Sequence, residues 1–365
     1  MAKLLVTGGA GFIGANFVHY WTRTHPGDRV VVLDALTYAG HLASLDPLQE
    51  SATFRFVHGS IGDQARVQSL LRDEAIDTIV NFAAESHVDR SISAADVFLE
   101  TNVLGTHTLL KAARQVWIDE GRAPDHRFHQ ISTDEVYGSL GPDDPAFTES
   151  TPCAPSSPYS ASKAAADHLV RAYGHTYGLG VTTSRCSNNY GPYQFPEKLI
   201  PLVIVNILAG KPLPIYGDGL NVRDWLHVGD HCRGLERILT QGAPGEIYNL
   251  GGSSECDNLS LVETLCGILD ERFASDASLK SRFPDAAPAR DQASTKLIRF
   301  VTDRPGHDRR YAIDAGRISR ELGFSPSLSL TQGLRQTVAW YLENETWWRG
   351  VMDSSYREWI DRHYR

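Results

Sequence analysis

No stretch of about 18 apolar residues occurs anywhere in the chain, so no membrane-spanning helix is expected. The start, Met1-Ala2-Lys3 followed at once by the short apolar run Leu4-Leu5-Val6, lacks the hydrophobic segment of a secretory signal, which predicts a cytoplasmic protein. Cysteine is scarce. The five (Cys153, Cys186, Cys232, Cys256, Cys266) form no C-x-x-C pair, and their odd number argues against a complete disulfide framework or a zinc site. Buried, reduced thiols and no metal are the expectation. Positive charge is also in deficit, with 35 Lys and Arg against 44 Asp and Glu and a formal charge of -9. That removes the electrostatic footprint of a nucleic-acid or anionic-membrane binder, while leaving room for a local basic pocket around an anionic ligand. Internal repeats and low-complexity linkers are lacking too.

What is present is ordinary globular material: 42% hydrophobic and 22% charged residues over 365 positions, enough for one large domain or two unequal ones. Lys3 to Thr7 reads as a strand. Gly8, Gly11, Phe12, Ile13 and Gly14 then lead into a helix ending before Pro26. Glycines at this spacing allow a tight turn and a close approach of the backbone to a pyrophosphate, which the helix N-terminus attracts. The next apolar strand, Val30 to Leu33, ends in Asp34, 20 residues past Gly14; an acid there suits the ribose hydroxyls of NAD and repels the extra phosphate of NADP. Alternation continues through strands Phe54 to His58, Thr78 to Phe82, Arg127 to Ile131 and Val181 to Arg185, with helices between, including one from about 96 to 117. Strands and helices alternating on short connections predict an α/β fold with a doubly wound parallel sheet.

Ser132-Thr133-Asp134-Glu135 follows a strand-like run, so two adjacent carboxylates sit at a strand's carboxyl end, where α/β sheets hold ligands. Tyr159 and Lys163 open a helix four residues apart, on one face, where an ammonium would ease ionisation of the phenol. Together they supply more proton-transfer groups than one simple redox step requires. Ser86 and His87 follow a strand that ends beside the cofactor region, although a lone His is more often a structural hydrogen-bonding residue.

Beyond Asn189 the composition shifts to proline and aromatics. A loop is expected from Tyr190 to Pro201, then a helix to Ala209, a turn-rich loop over 215–225, and a late strand, Ile247 to Leu250, returning to the sheet. Residues 270–295 read as an exposed helix and loop. Arg304, Arg309 and Arg310 concentrate positive charge that could clamp a diphosphate, and Trp340, Trp347, Trp348 and Trp359 read as a helix packing aromatics onto the body. The division expected is a dinucleotide-binding domain of 1–190 plus about 224–250, and a substrate domain of 191–223 plus about 251–365.

Thr-Gly-x-x-Gly-x-x-Gly at 7–14 with Tyr-x-x-x-Lys at 159–163 resembles the extended short-chain dehydrogenase/reductase family. Within it, Thr133-Asp134-Glu135-Val136-Tyr137-Gly138, the segment His87 to Ile92, and the segments Asn189 to Pro201 and Arg304 to Tyr311 resemble the dTDP-glucose 4,6-dehydratase family, over nearly the whole length. The resemblance implies a Rossmann-type sheet with a smaller, mixed α/β C-terminal substrate domain, bound NAD, and dTDP-glucose as substrate. It implies Tyr159 as base toward the C4 hydroxyl, Lys163 as its aid, Thr133 as orienter, Glu135 as base at C5 and protonated Asp134 as acid toward the C6 hydroxyl. For the cofactor it implies Gly8, Gly11, Phe12, Ile13, Gly14, Asp34, Ser60, Ile61 and Ala83, joined by Tyr159 and Lys163. For the substrate it implies Ser86, His87, Glu197 and Leu199; Asn189, Lys198, Arg223 and Asn258 near the diphosphate; Tyr216 near the base; and His307 and Arg309. A homodimer through a four-helix bundle of the long helices around 96–117 and 160–177 is implied as well. One departure stands out: Ser60 occupies the place of an Asp that helps hold the adenine in the family. Two other readings remain open at this point: a nucleotide-sugar 4-epimerase, which has no use for the carboxylate pair, and a non-catalytic NAD-sensing protein.

Overall fold

The structure, a computed structural model, describes residues 1–303 and 306–352. Its strands, in chain order, are β1 (Lys3–Thr7), β2 (Arg29–Asp34), β3 (Phe54–His58), β4 (Thr78–Asn81), β5 (Arg127–Thr133), β6 (Val181–Cys186), β7 (Asn188–Tyr190), β8 (Leu213–Tyr216), β9 (Val222–His227), β10 (Ile247–Leu250), β11 (Glu255–Asp257) and β12 (Ile298–Val301). Seven of them form one sheet in the order β3-β2-β1-β4-β5-β6-β10, and every pairing is parallel. This is the doubly wound Rossmann-type sheet.

Strands buried on both faces need apolar residues at every position, and β1 and β2 supply them. Leu4, Val6, Val30 and Val32 enter one core with Phe17, Val18 and Trp21 of the helix Phe12–Thr24 and Leu235 and Ile238 of the helix Val228–Gln241. Their neighbours Leu5, Val31 and Leu33 point the other way, against Val67 and Leu70 of the helix Gln64–Asp73, Leu109 of Thr106–Ala113 and Val170 of Pro158–Tyr177. The period-2 alternation of a strand thus fills both layers, and each such buried side chain contributes about 1.5–3 kcal/mol. Strand order reverses between β1 and β4, so a crevice opens at their carboxyl ends. The long helix expected at 96–117 is a continuous helical run whose parts Leu99–Gly105 and Arg114–Asp119 are wound as π-helix.

The rest of the chain builds a smaller lobe. Strand β9 lies between β7 (parallel) and β11 (antiparallel), and β8 pairs with β12 in parallel. The turn-rich loop expected over 215–225 is therefore two strand segments joined by Gly217-Asp218-Gly219. The turn residues are real, but the flanks become strands through partners elsewhere in the chain, Ile298–Val301 for β8 and Asn188–Tyr190 with Glu255–Asp257 for β9. The 270–295 segment also differs from expectation: Phe273, Leu279, Phe283 and Ala286 are buried in the lobe's core with Ile204, Leu265 and Val338. Its short helical pieces, Ser278–Arg282 and Pro288–Arg290, are too brief to show a periodicity. Near the end, Trp348 is buried and Trp340 and Trp347 flank Tyr193; Trp359 lies outside the described residues. No described helix is long and apolar enough to cross a membrane.

Candidate active site

A cavity of about 530 Å³ runs along the carboxyl ends of β1, β2, β4 and β5 and continues under the small lobe. At its first end, Gly8 has φ +68°, and a Cβ there would sit 2.6 Å from the Ala83 nitrogen; a Cβ on Gly14 would run into the Gly8 carbonyl oxygen. Only glycine fits both places. The helix Phe12–Thr24 starts at Gly11 without a side-chain cap or an acid in its first turn, leaving its unsatisfied amides and positive dipole end for an anion.

Asp34, 8% exposed, accepts the Ala10 amide at 2.9 Å and the Leu36 amide at 2.8 Å, one on each oxygen. Burial pushes its carboxyl above the usual range while the two amides pull it down. Each oxygen keeps a lone pair for a ribose hydroxyl. Ser60, Ile61 and Ala83 complete the wall. Asp63 is not part of it: it caps the helix Gln64–Asp73, accepting the Arg66 amide at 3.0 Å. Ser60 Oγ accepts the Gly62 amide at 3.1 Å and faces the cavity alone at this spot. The glycine cradle, free helix end and paired acid fit a dinucleotide such as NAD.

In the centre, β5 ends at Thr133, whose Oγ1 accepts the Glu135 amide at 3.2 Å and so starts the tight turn Asp134–Tyr137. That turn sets two carboxyls side by side. Asp134 is 2% exposed; burial, then the Glu135 charge, pushes it well above the ordinary carboxylate range. Thr133 Oγ1 donates to its Oδ1 at 3.3 Å, and Oδ2 has no hydrogen-bond partner among the described residues. Burial and the Glu135 charge both favour the protonated form of Asp134.

Opposite, the helix Pro158–Tyr177 is fixed at its start by a capping box of Ser157 and Ser160 with Pro158 in the first turn. It delivers Tyr159 and Lys163 to the same cavity. The expectation that the ammonium eases the phenol's ionisation meets a different arrangement. Lys163 Nζ donates to the Ile131 carbonyl at 2.7 Å, while burial and then Glu135 push the Tyr159 hydroxyl well above its usual value. In this state Tyr159 is neutral.

Toward the small lobe the cavity is lined by Ser86, His87, Asn189, Glu197, Lys198, Leu199, Tyr216, Arg223, Asn258 and His307. Lys198 Nζ donates to the Ser86 carbonyl at 3.1 Å, and the Tyr216 hydroxyl donates to Asp89 at 3.2 Å, so both lobes meet across the opening. Glu197, 3% exposed, lies 3.8 Å from His87 Nε2 and 3.7 Å from Arg90 Nη2; burial lifts its carboxyl, and Lys198 and Arg90 hold it down. Arg223 is 5% exposed, with Nη2 donating to the Asp308 carbonyl at 2.9 Å and the guanidinium over the Tyr311 ring. Arg309 does not line the cavity. It pairs with Asp218 at 2.9 Å in solvent, and Arg310 pairs with Glu255 at 2.7 Å; Arg304 lies outside the described residues. The expected arginine clamp is thus, where described, two ion pairs with the acids of neighbouring turns. Sequence reasoning passed over Glu85, Asp89, Cys186 and Gln194, which also line the cavity. For Glu85 and Asp89 the available signal was their place just past β4, beside Ser86 and His87.

Comparison with known proteins agrees with this geometry. The model of the GDP-mannose 4,6 dehydratase family matches residues 5–337. A dTDP-glucose 4,6-dehydratase of Xanthomonas campestris pv. campestris (strain B100) is 55% identical over 359 residues, covering 98% of each chain. Among solved structures, dTDP-glucose 4,6-dehydratase from Bacillus anthracis in complex with NAD has a TM-score of 0.83 at 45% identity, covering 96% of this chain and 100% of that one. The enzyme of that name from Streptomyces venezuelae, with NAD and TYD bound, has a TM-score of 0.83 at 49% identity, covering 96% and 99%. A glycine cradle, a Tyr/Lys pair and an adjacent Asp and Glu in one cavity, together with this likeness over nearly the full length, make the chain a member of the dTDP-glucose 4,6-dehydratase family.

Proposed function

We propose that the protein is an NAD-dependent hydro-lyase that converts dTDP-glucose to dTDP-4-keto-6-deoxyglucose and water. The observation that carries this is the buried Asp134 beside Glu135, within one cavity with Tyr159. When bound, NAD supplies the redox chemistry, accepting hydride from C4 of the glucose ring and returning it to C6. Tyr159 takes the C4 hydroxyl proton, with Thr133 orienting that hydroxyl and Lys163 aiding. The resulting C4 ketone acidifies the C5 hydrogen, which Glu135 removes, while Asp134 gives its proton to the departing C6 hydroxyl as water. Opposite protonation states in neighbouring carboxyls are what the elimination needs. Lys198, Arg223, Asn189 and Asn258 hold the diphosphate, and Tyr216 adjoins the base. An epimerase has no use for the Asp134 and Glu135 pair.

The protein acts in the cytoplasm, in keeping with five free thiols, and as a homodimer. Supporting the dimer, the helical run from 95 to 119 packs on the helix Pro158–Tyr177 through Asn102 Nδ2 to Ser162 Oγ at 2.8 Å, and leaves Val97, Leu99 and Leu104 exposed at 44%, 50% and 59%. Two such pairs would form a four-helix bundle. The deciding test is to supply dTDP-glucose or UDP-glucose without added NAD and identify the product. The 4-keto-6-deoxy sugar is expected from dTDP-glucose; recovery of dTDP-galactose alone would overturn the dehydratase reading.

A further inference from the structure

Behind the catalytic Tyr and Lys lies a buried charge cluster that the reaction scheme does not use. Lys163, Asp167 and Arg185 are 5%, 4% and 4% exposed. Asp167 follows Lys163 by one helical turn on the same face. Its Oδ2 accepts from Arg185 Nε on β6 at 3.0 Å, and the Ser132 hydroxyl beside the carboxyl also holds it down. Arg185 is held independently, with its guanidinium over the Tyr137 ring at 4.7 Å and Nη2 against Cys153 Sγ at 3.4 Å. Lys163, Asp167 and Arg185 thus lie buried together under the active site.

We propose that Asp167 is a positioning residue of the reaction: anchored by Arg185, it is the buried counter-charge that keeps the Lys163 ammonium protonated beside Tyr159. This rests on the dehydratase reading above, in which Lys163 aids Tyr159 in the first step. An isolated buried ammonium sheds its proton, because burial penalises the charged form. Of the carboxyl groups around Lys163, Asp167 is the one that acts on the ammonium. On its own helix are Tyr159, neutral, and Asp167. On β6 are Arg185, of the wrong sign, and Cys186, whose thiol burial pushes up to about 12. On the turn after β5 are Asp134, in which burial favours the protonated form, and Glu135, which is assigned to C5. On β5 the Ile131 carbonyl contributes a dipole only. Burial lowers the Lys163 ammonium from its ordinary value, and Asp167 is the largest influence raising it again. Asp167 in turn is lifted by burial and held down by Arg185 and Lys163.

The test is Asp167→Asn, which keeps the shape and an acceptor for Arg185 but removes the charge. The readout is the pH profile of the first half-reaction, followed as reduction of bound nicotinamide on mixing with dTDP-glucose. The alkaline limb is expected to move to lower pH by about 1 unit or more, and Asp167→Glu to restore it toward the parent position. An alkaline limb that coincides with the parent's, whatever the change in overall rate, overturns the proposal and leaves Asp167 a structural partner of Arg185. Because Asp167→Asn strands a buried guanidinium and can fail to fold, the double variant Asp167→Asn, Arg185→Met removes both charges. Its limb is expected to move down by less, because losing the Arg185 cation relieves Lys163 in part; a limb at or above the parent's there overturns the proposal. Failure of the functional reading looks different: the parent itself would then show no nicotinamide reduction with dTDP-glucose.

Discussion

Glu135 and Asp134 are neighbours in the chain with divided tasks, and the division is set by burial. Asp134 is sealed beneath Thr133, and Glu135 lies half-buried at the cavity. Glu135→Gln is therefore expected to leave oxidation at C4 intact and to stall before water is lost. On mixing with dTDP-glucose, bound reduced nicotinamide should accumulate, and product formation should fall at least ~100-fold; normal turnover would show that another group removes the C5 proton. At this scale much was legible. Thr133-Asp134-Glu135 after a strand and Tyr159 with Lys163 at helical spacing are local patterns, read from neighbours alone. The resemblance implied a protonated Asp134 but the neighbouring residues did not, since besides burial and Glu135 its shift answers to Asp224 and Arg223, roughly 90 positions away in the chain. Arg309 shows the converse: a charge-rich segment implied a ligand clamp, and only the fold reveals Asp218 within reach.

Strand β5 carries the catalytic turn, and its middle is pinned by His129, wholly buried, with Nδ1 2.8 Å from Thr182 Oγ1 and Nε2 3.0 Å from Ser184 Oγ on β6. His231, in the helix Val228–Gln241, likewise meets Asn189 at 2.9 Å. Burial lowers both imidazoles from 6.5 to about 3. The unfolded chain thus binds more protons than the folded one between these values. The stability from each neutral ring is complete above pH 6.5 and is lost as pH falls toward 3, at ~1.4 kcal/mol per unit per ring. Denaturant midpoints measured at pH 7.5 and about 5 should show His129→Gln with a clearly shallower acid loss than the parent; parallel slopes would mean that His129 is protonated in the fold. Elements with long apolar runs were legible because parallel strands buried on both faces have nowhere to put a polar residue. Strands β8 and β9 were not, since short flanks of a glycine turn become strands only through distant partners.

For the molecule as a whole, the exposed leucines on the 95–119 helical run mark the face where a second copy is expected. By two-fold symmetry each side chain counts twice, so Leu104→Glu should cost about 3–6 kcal/mol of association. Sedimentation at micromolar concentration should then show the variant as a monomer against a parent of twice the chain mass; an unchanged mass would move the interface elsewhere. The parallel sheet was readable end to end from alternation. The rest was harder to read, because one core gathers Ile204, Leu265, Phe283 and Val338 from pieces far apart in the chain, while Ile318, Leu322 and Phe324 return to the core beside the large sheet.

Asp34 couples two properties that an engineer would want to vary separately. Its two oxygens fasten the Ala10 amide of the glycine turn and the Leu36 amide of the following loop, so the residue proposed to discriminate between dinucleotides is also the rivet of their cradle. A single replacement meant to admit a 2′-phosphate would unfasten the turn that grips the pyrophosphate. Cofactor preference in this scaffold is therefore inherited as a block, and changing it requires a new partner for Ala10 and Leu36 in the same step.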